Sequence, residues 1–173
     1  GKKLDGDFAK SPYFKTNLNL ICLTYDLAND PKWEKSFTAW SPLIDDKVSW
    51  WTSVPQSTED LIQVVRNIKA ITGTKFCVFC MGIALSVVWA ITYEIDQEKN
   101  TKYHERVINF FKHLQKYDLR FCMGVMDPKG DRGLKPSKQP DLDMHLRVVK
   151  KDEKGIVVRG CKSQVSGGPL THM

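Results

Sequence analysis

Two stretches of this 173-residue chain hold, at close spacing, residue types that can do chemistry. In Phe76-Cys77-Val78-Phe79-Cys80-Met81-Gly82 the thiols Cys77 and Cys80 stand at Cys-x-x-Cys spacing, a common arrangement for chelating one soft metal ion. Their neighbours are apolar and aromatic, so the pair also reads as two small apolar side chains inside a buried helix. The second stretch is Asp127-Pro128-Lys129-Gly130-Asp131-Arg132. Lys129 and Arg132 can neutralise a pyrophosphate, and Gly130 lets backbone N–H groups approach a ligand closely. The alternative is a charged surface loop. The histidines offer less: His104 and His113 are nine residues apart on one candidate helix, which is not metal-ligand spacing, and His145 opens a strand. These three read as structural or solvent-facing, and His172 lies one residue from the end. The five tryptophans read as core or interface area.

The elements that must position these groups belong to a soluble globular chain, with 42% hydrophobic and 27% charged residues. Its net charge of +6 is interleaved with acidic residues along the chain, which argues against a nucleic-acid interface and suits a phosphate-bearing cofactor. The odd number of cysteines, five, and the lack of an apolar signal core imply a reducing, cytoplasmic setting, with Cys22 and Cys122 as buried free thiols. The uncharged run Phe76 to Tyr93 falls at the lower limit for a membrane span. Glu94 and Asp96 follow at once and no basic cluster flanks it, so it reads as the most buried core helix.

Residues 1–10 lack an apolar period. Leu18, Ile21, Leu23, Tyr25 and Leu27 predict a helix, and Pro31 restarts the chain into a second one, a helix–turn–helix entry. Ser57 and Asp60 form a capping box ahead of the stripe Leu61, Val64, Val65, Ile68 and Ile71, with Gly73 as the stop. A third helix begins near Thr101, with Val107, Ile108, Phe111 and Leu114 on one face. Residues up to Tyr117 are therefore expected to be helical. Asp127 to Asp143 concentrates Pro, Gly and charge and predicts a long loop. Met144, Leu146 and Val148, a turn at Lys151 to Gly155, and Ile156 to Val158 then predict a β-hairpin.

Taken in order, SPYFKTNLNLICLTYDLANDP, QSTEDLI, TYEIDQEKNTKYHERVINFFKHLQKYDL, DPKGDRGLKPS and LRVVKKDEKGIVVRGCKS resemble successive blocks of the flavin-dependent 4-hydroxyphenylacetate 3-hydroxylase family, in its 4-hydroxybutyryl-CoA dehydratase/vinylacetyl-CoA isomerase branch. The resemblance implies an α+β fold, the amino-terminal helical domain of an acyl-CoA dehydrogenase-like architecture (residues 1–120). It also implies the loop and first hairpin of a truncated flavin-binding β-domain (residues 121–173). The rest of the β-domain and a final helical bundle would be absent, leaving the chain inactive alone.

Complete members of the branch hold FAD and a [4Fe–4S] cluster and act on an acyl-CoA substrate. Two family cluster ligands are cysteines at Cys-x3-Cys spacing; Cys80 matches the second, and Cys77 stands one residue too close to match the first. By resemblance, Asp127, Lys129, Gly130, Asp131 and Arg132 contact the flavin, and so does the segment around Gln164 and Ser166. There Ser166 keeps a hydroxyl, whereas Gln164 replaces a family histidine and cannot titrate near neutrality. No residue is assigned a catalytic role. Three functions stay open: a fragment or divergent short member of the dehydratase/isomerase branch, a flavin-dependent aromatic monooxygenase, or a non-catalytic partner of a full-length relative. Association as a homo-oligomer or with the missing carboxy-terminal part is expected, with no nucleic-acid or membrane partner.

Overall fold

The computed structural model describes residues 10–71, 79–163, 165 and 168–172, without the side chains of residues 79–81 and 169. The fold is α+β, and the chain divides into two compact units: Gly1–Phe121 together with Pro169–Met173, and Cys122–Gly168.

In the first unit α1 spans Pro12–Asp26. Pro12 sits in the first turn, where a missing N–H costs nothing, and the Ser11 carbonyl accepts from the N–H groups of Phe14 and Lys15. The helix turns Ile21 and Thr24 inward and leaves Cys22 exposed, so the expected burial of that thiol is wrong; Cys122 is half-buried. After Pro31 the chain forms only one helical turn, α2 (Glu34–Phe37), before it extends. β1 (Thr38–Ser41) pairs antiparallel with β2 (Asp46–Ser49), and Asp45 takes a left-handed turn conformation between them. The entry is thus a helix, a single turn and a hairpin rather than helix–turn–helix, and the region up to Tyr117 is not helical throughout. Strands of four residues are too short to register a period of two against the preceding helix-forming EKSF.

Trp50–Thr52 follow as a 3₁₀ turn that places Trp51, fully buried, beside Leu27, Phe37, Trp50 and Ile71. The rings meet edge to face, Tyr25 to Trp51 at 4.6 Å and Phe37 to Trp50 at 6.1 Å, the arrangement aromatic quadrupoles favour. α3 (Thr58–Ile71) opens with the expected capping box: Asp60 N–H donates to Ser57 Oγ at 3.1 Å, and Asp60 Oδ2 accepts from Ser57 N–H at 3.0 Å. Ile71 is buried and Val64 and Ile68 pack on the core, while Leu61 and Val65 remain exposed. A polar residue takes the inward position instead. Asn67 donates to the Ser36 carbonyl at 2.6 Å and accepts from Gln63 at 2.7 Å.

α4 (Phe79–Lys99) is helical, as its composition implies, but it is not the most buried helix. Leu85 is 3% exposed and packs with Phe111 and Leu114 of α5 (Tyr103–Lys116), whereas Ile83, Val87, Val88 and Ile91 stand nearly half exposed. The run begins at Phe76, outside the described residues, and among the described residues one apolar face of α4 is covered and the other is not. No helix among the described residues is long and apolar enough to cross a membrane. Asp96 starts α5 by accepting from the N–H groups of Tyr103 and His104 at 2.9 and 2.8 Å. Beyond α5, Asp118 accepts from Ser49 Oγ at 2.9 Å; burial pushes its carboxyl above the ordinary carboxylate range, and the neighbouring donors offset this only in part. His172 closes on the same region, accepting from the Arg120 N–H at 3.0 Å through Nδ1 and donating its own N–H to the Arg120 carbonyl at 2.8 Å.

The second unit contains the expected hairpin, β3 (Arg147–Asp152) and β4 (Gly155–Arg159), antiparallel with a register shift between Val148 and Lys150. Every residue of both strands is exposed. Gly155, at φ 142°, makes the turn in a region that disfavours other residues.

Two outcomes follow for the first unit. Ser57→Ala removes one arm of the capping box and lowers stability by about 1 kcal/mol, measured by urea unfolding. Asp118 binds its proton more tightly folded than unfolded, so its contribution is full below the ordinary carboxylate range and is lost as pH rises through its elevated folded value. Asp118→Asn escapes that loss and gains stability relative to wild type as pH rises from about 3 to 7. A constant difference in unfolding midpoint across that range contradicts the assignment.

Candidate functional site

In the second unit the loop from Met126 to Gln139 walls a cleft of about 650 Å³. A loop so rich in Pro, Gly and charge has no periodic hydrogen bonding to keep its shape. The side chain of Gln139, 4% exposed, substitutes for it. Its Oε1 accepts from the Asp131 N–H at 2.9 Å, and its Nε2 donates to the carbonyls of Asp131 at 2.8 Å and Leu134 at 3.3 Å. Asp131 Oδ1 then accepts from the Gly133 N–H at 2.8 Å, folding the tip. Gly130 is required by this brace, because a Cβ there would lie 2.5 Å from Gln139 Oε1 and 2.8 Å from Met144 Sδ.

The loop base is tied to the segment following β4 through an isolated antiparallel bridge between Met126 and Ser163. Ser163 donates its N–H to the Met126 carbonyl at 2.9 Å and its Oγ to the Asp127 carbonyl at 3.2 Å. Lys162 Nζ reaches Asp127 Oδ1 at 2.7 Å, and this hydrogen bond chiefly holds the Asp127 carboxyl below its ordinary range. His145 lines the same cleft with Nδ1 at 4.0 Å from that oxygen, too far to bond; the Nδ1 is buried and has no hydrogen-bond partner among the described residues. Lys129 and Arg132 are exposed on the cleft and make no ion pair among the described residues.

The structure thus brings together Asp127, Lys129, Gly130, Asp131 and Arg132 around one cleft. Gln164 and Ser166 lie outside the described residues, as does Cys77. Cys80 falls in the first turn of α4, its side chain not described. Among the described residues no three His, Cys, Asp or Glu side chains gather as a metal site. Sequence reasoning missed Gln139, which no spacing rule links to Asp131, and left His145 without a role although it lies two residues before β3.

Gly130→Ala pushes a methyl group into Gln139 and costs about 1–3 kcal/mol of local stability, the usual range for overpacking. Hydrogen exchange at the Asp131 amide, held by Gln139, reports it directly. Unchanged protection of that amide contradicts the brace.

The sequence model described as 4-hydroxyphenylacetate 3-hydroxylase N terminal matches residues 1–173. The chain is 37% identical to 4-hydroxybutyryl-CoA dehydratase/vinylacetyl-CoA-Delta-isomerase of Clostridium aminobutyricum over 99% of its own length and 36% of that protein. Among solved structures it is similar to an oxygen-tolerant archaeal 4-hydroxybutyryl-CoA dehydratase from N. maritimus, with a TM-score of 0.91 and 32% identity, covering 98% of this chain and 34% of that one. The fold also recurs in the oxygenase component of 4-hydroxyphenylacetate 3-monooxygenase, a complex with FAD and 4-hydroxyphenylacetate, at TM-score 0.68 and 24% identity over 89% of this chain and 32% of that one. The chain therefore spans about a third of the length of these relatives. With its whole length matched, the chain belongs to the 4-hydroxyphenylacetate 3-hydroxylase family, through the family's amino-terminal sequence model.

Proposed function

We propose that this chain supplies the amino-terminal part of a cytoplasmic, flavin- and iron–sulfur-dependent 4-hydroxybutyryl-CoA dehydratase/vinylacetyl-CoA isomerase, and that its own share of the site is the FAD-contacting cleft of the second unit. The observation that carries this reading is the braced loop, where Gln139 packs against Gly130 too closely for any side chain there and two exposed cations, Lys129 and Arg132, line the cleft. Such a cleft fits the diphosphate of a dinucleotide, because the two cations offset its charge. Bound FAD would supply redox chemistry. The residues of this chain would hold and orient it, Lys129 and Arg132 by charge, Asp127 and Asp131 by fixing the loop through Lys162 and Gly133.

By sequence, Cys77 and Cys80 offer two of the four ligands a [4Fe–4S] cluster needs, at a spacing shorter than the family's, and among the described residues no further ligands gather to complete it. A cluster would require ligands from elsewhere, so no step is assigned to it. No residue of this chain is assigned a catalytic role. An aromatic monooxygenase needs no cluster; the cysteine pair favours the dehydratase branch, and its shortened spacing, which weakens that preference, keeps the monooxygenase as the second reading. The uncovered face of α4, with Ile83, Val87 and Ile91, suits packing against the rest of a family-length protein, a further copy or a full-length relative.

Purified chain is expected to carry neither FAD nor iron in stoichiometric amount, checked by flavin fluorescence and iron analysis, because much of any family site would come from other segments. Added FAD should bind weakly, and Lys129→Ala combined with Arg132→Ala should weaken it about tenfold or more. The double variant binding FAD as wild type does would defeat the cleft assignment. Anaerobic turnover of 4-hydroxybutyryl-CoA or vinylacetyl-CoA by this chain with FAD and iron, lost in Cys80→Ala, would instead make the cysteine pair a working metal site.

A further inference from the structure

We propose that His145 is the titratable binding residue of the cleft, so that the cleft holds the doubly charged diphosphate of a flavin dinucleotide more tightly when the imidazole carries a proton. This rests on the reading of the cleft as a dinucleotide site. Three observations converge on it. The imidazole lines the same cleft as Lys129, Gly130 and Arg132, and its Nδ1 is buried with no hydrogen-bond partner among the described residues, a polar group that the fold itself leaves unused. Gly160 fixes the ring's backbone, since a Cβ there would stand 2.3 Å from the His145 carbonyl oxygen. The third observation concerns Asp127. Lys162 holds its Oδ1 at 2.7 Å, and His145 Nδ1 faces that same oxygen from 4.0 Å.

One carboxylate cannot neutralise two cations. The charged groups facing His145 are Asp127, Lys129, Asp131 and Arg132 on the loop and Lys162 beyond β4. With Lys162 counted, the cations exceed the carboxylates by one, and a proton on His145 doubles that excess. Imidazoles ordinarily change charge between about pH 5 and 8, whereas the dinucleotide diphosphate keeps its two charges throughout that range, so the pH response of binding would come from the protein. By linkage, the ligand must favour the protonated ring as much as the protonated ring favours the ligand.

The test measures FAD affinity of the full chain at pH 5.5 and 7.5, for wild type and for His145→Gln, by flavin fluorescence. The expected result is about fivefold tighter binding at the lower pH for wild type and no pH response for the variant, the size of one exposed ion pair. Because His145→Gln could disturb packing, the wild-type His145 ring is also followed by NMR at pH 6.5, where FAD should move its signals toward the protonated position. FAD binding with an identical pH profile in both proteins, or no movement of the His145 signals at saturation, overturns the role of His145 and leaves the dinucleotide site standing. Failure of wild type to bind FAD at either pH overturns the dinucleotide site and this proposal with it.

Discussion

The carboxamide of Gln139 decides what the second unit can do. A stretch with Pro128, Gly130, Gly133 and Pro136 forms no regular element beyond a single 3₁₀ turn at Pro136–Lys138, and its many charges repel compaction. One buried amide supplies the missing order by using both of its ends, accepting from the Asp131 N–H while donating to the Asp131 and Leu134 carbonyls. A side chain that both donates and accepts is needed, and Glu at this place would set a carboxylate against two carbonyl oxygens. The brace in turn leaves no room for a side chain at residue 130, and with the loop held, Lys129 and Arg132 stay on the cleft.

The first unit works under a different constraint. Its interior is aromatic and edge-packed around Trp51, and two buried amides in it are met by partners: Gln115 accepts from Ser41 Oγ at 2.7 Å and donates to the Thr52 carbonyl at 2.8 Å, and Asn67 is satisfied on both sides. The outer faces of α3 and α4 depart from this economy, leaving Leu61, Val65, Ile83, Val87 and Ile91 in water. The relatives this chain is similar to are about three times as long.

What the sequence disclosed, and what it hid, follows from the range of the forces involved. The Ser57–Asp60 capping box, α1, α5 and the β3–β4 hairpin are local, set by residues within a few positions of one another, and they read correctly. The Thr38–Ser49 hairpin escaped because its strands are too short to beat a neighbouring helical signal. Burial of α4 was overstated because composition counts apolar residues without saying which face finds a partner, and Cys22 was misplaced for the same reason. Around the cleft, the charged loop was legible as a cluster of types. Gln139 and His145 were not, because their roles depend on contacts across eight and eighteen residues that no period encodes.

The central claim is that the loop braced by Gln139 is where a flavin dinucleotide meets this chain. Photo-crosslinking with an azido derivative of FAD, followed by peptide mapping, tests it without requiring tight binding or turnover. The account predicts adducts confined to residues 126–145 and to the segment around Ser163, which lines the same cleft, and suppressed by unlabelled FAD. Adducts concentrated in the first unit, or adducts in the loop that unlabelled FAD does not suppress, would contradict it.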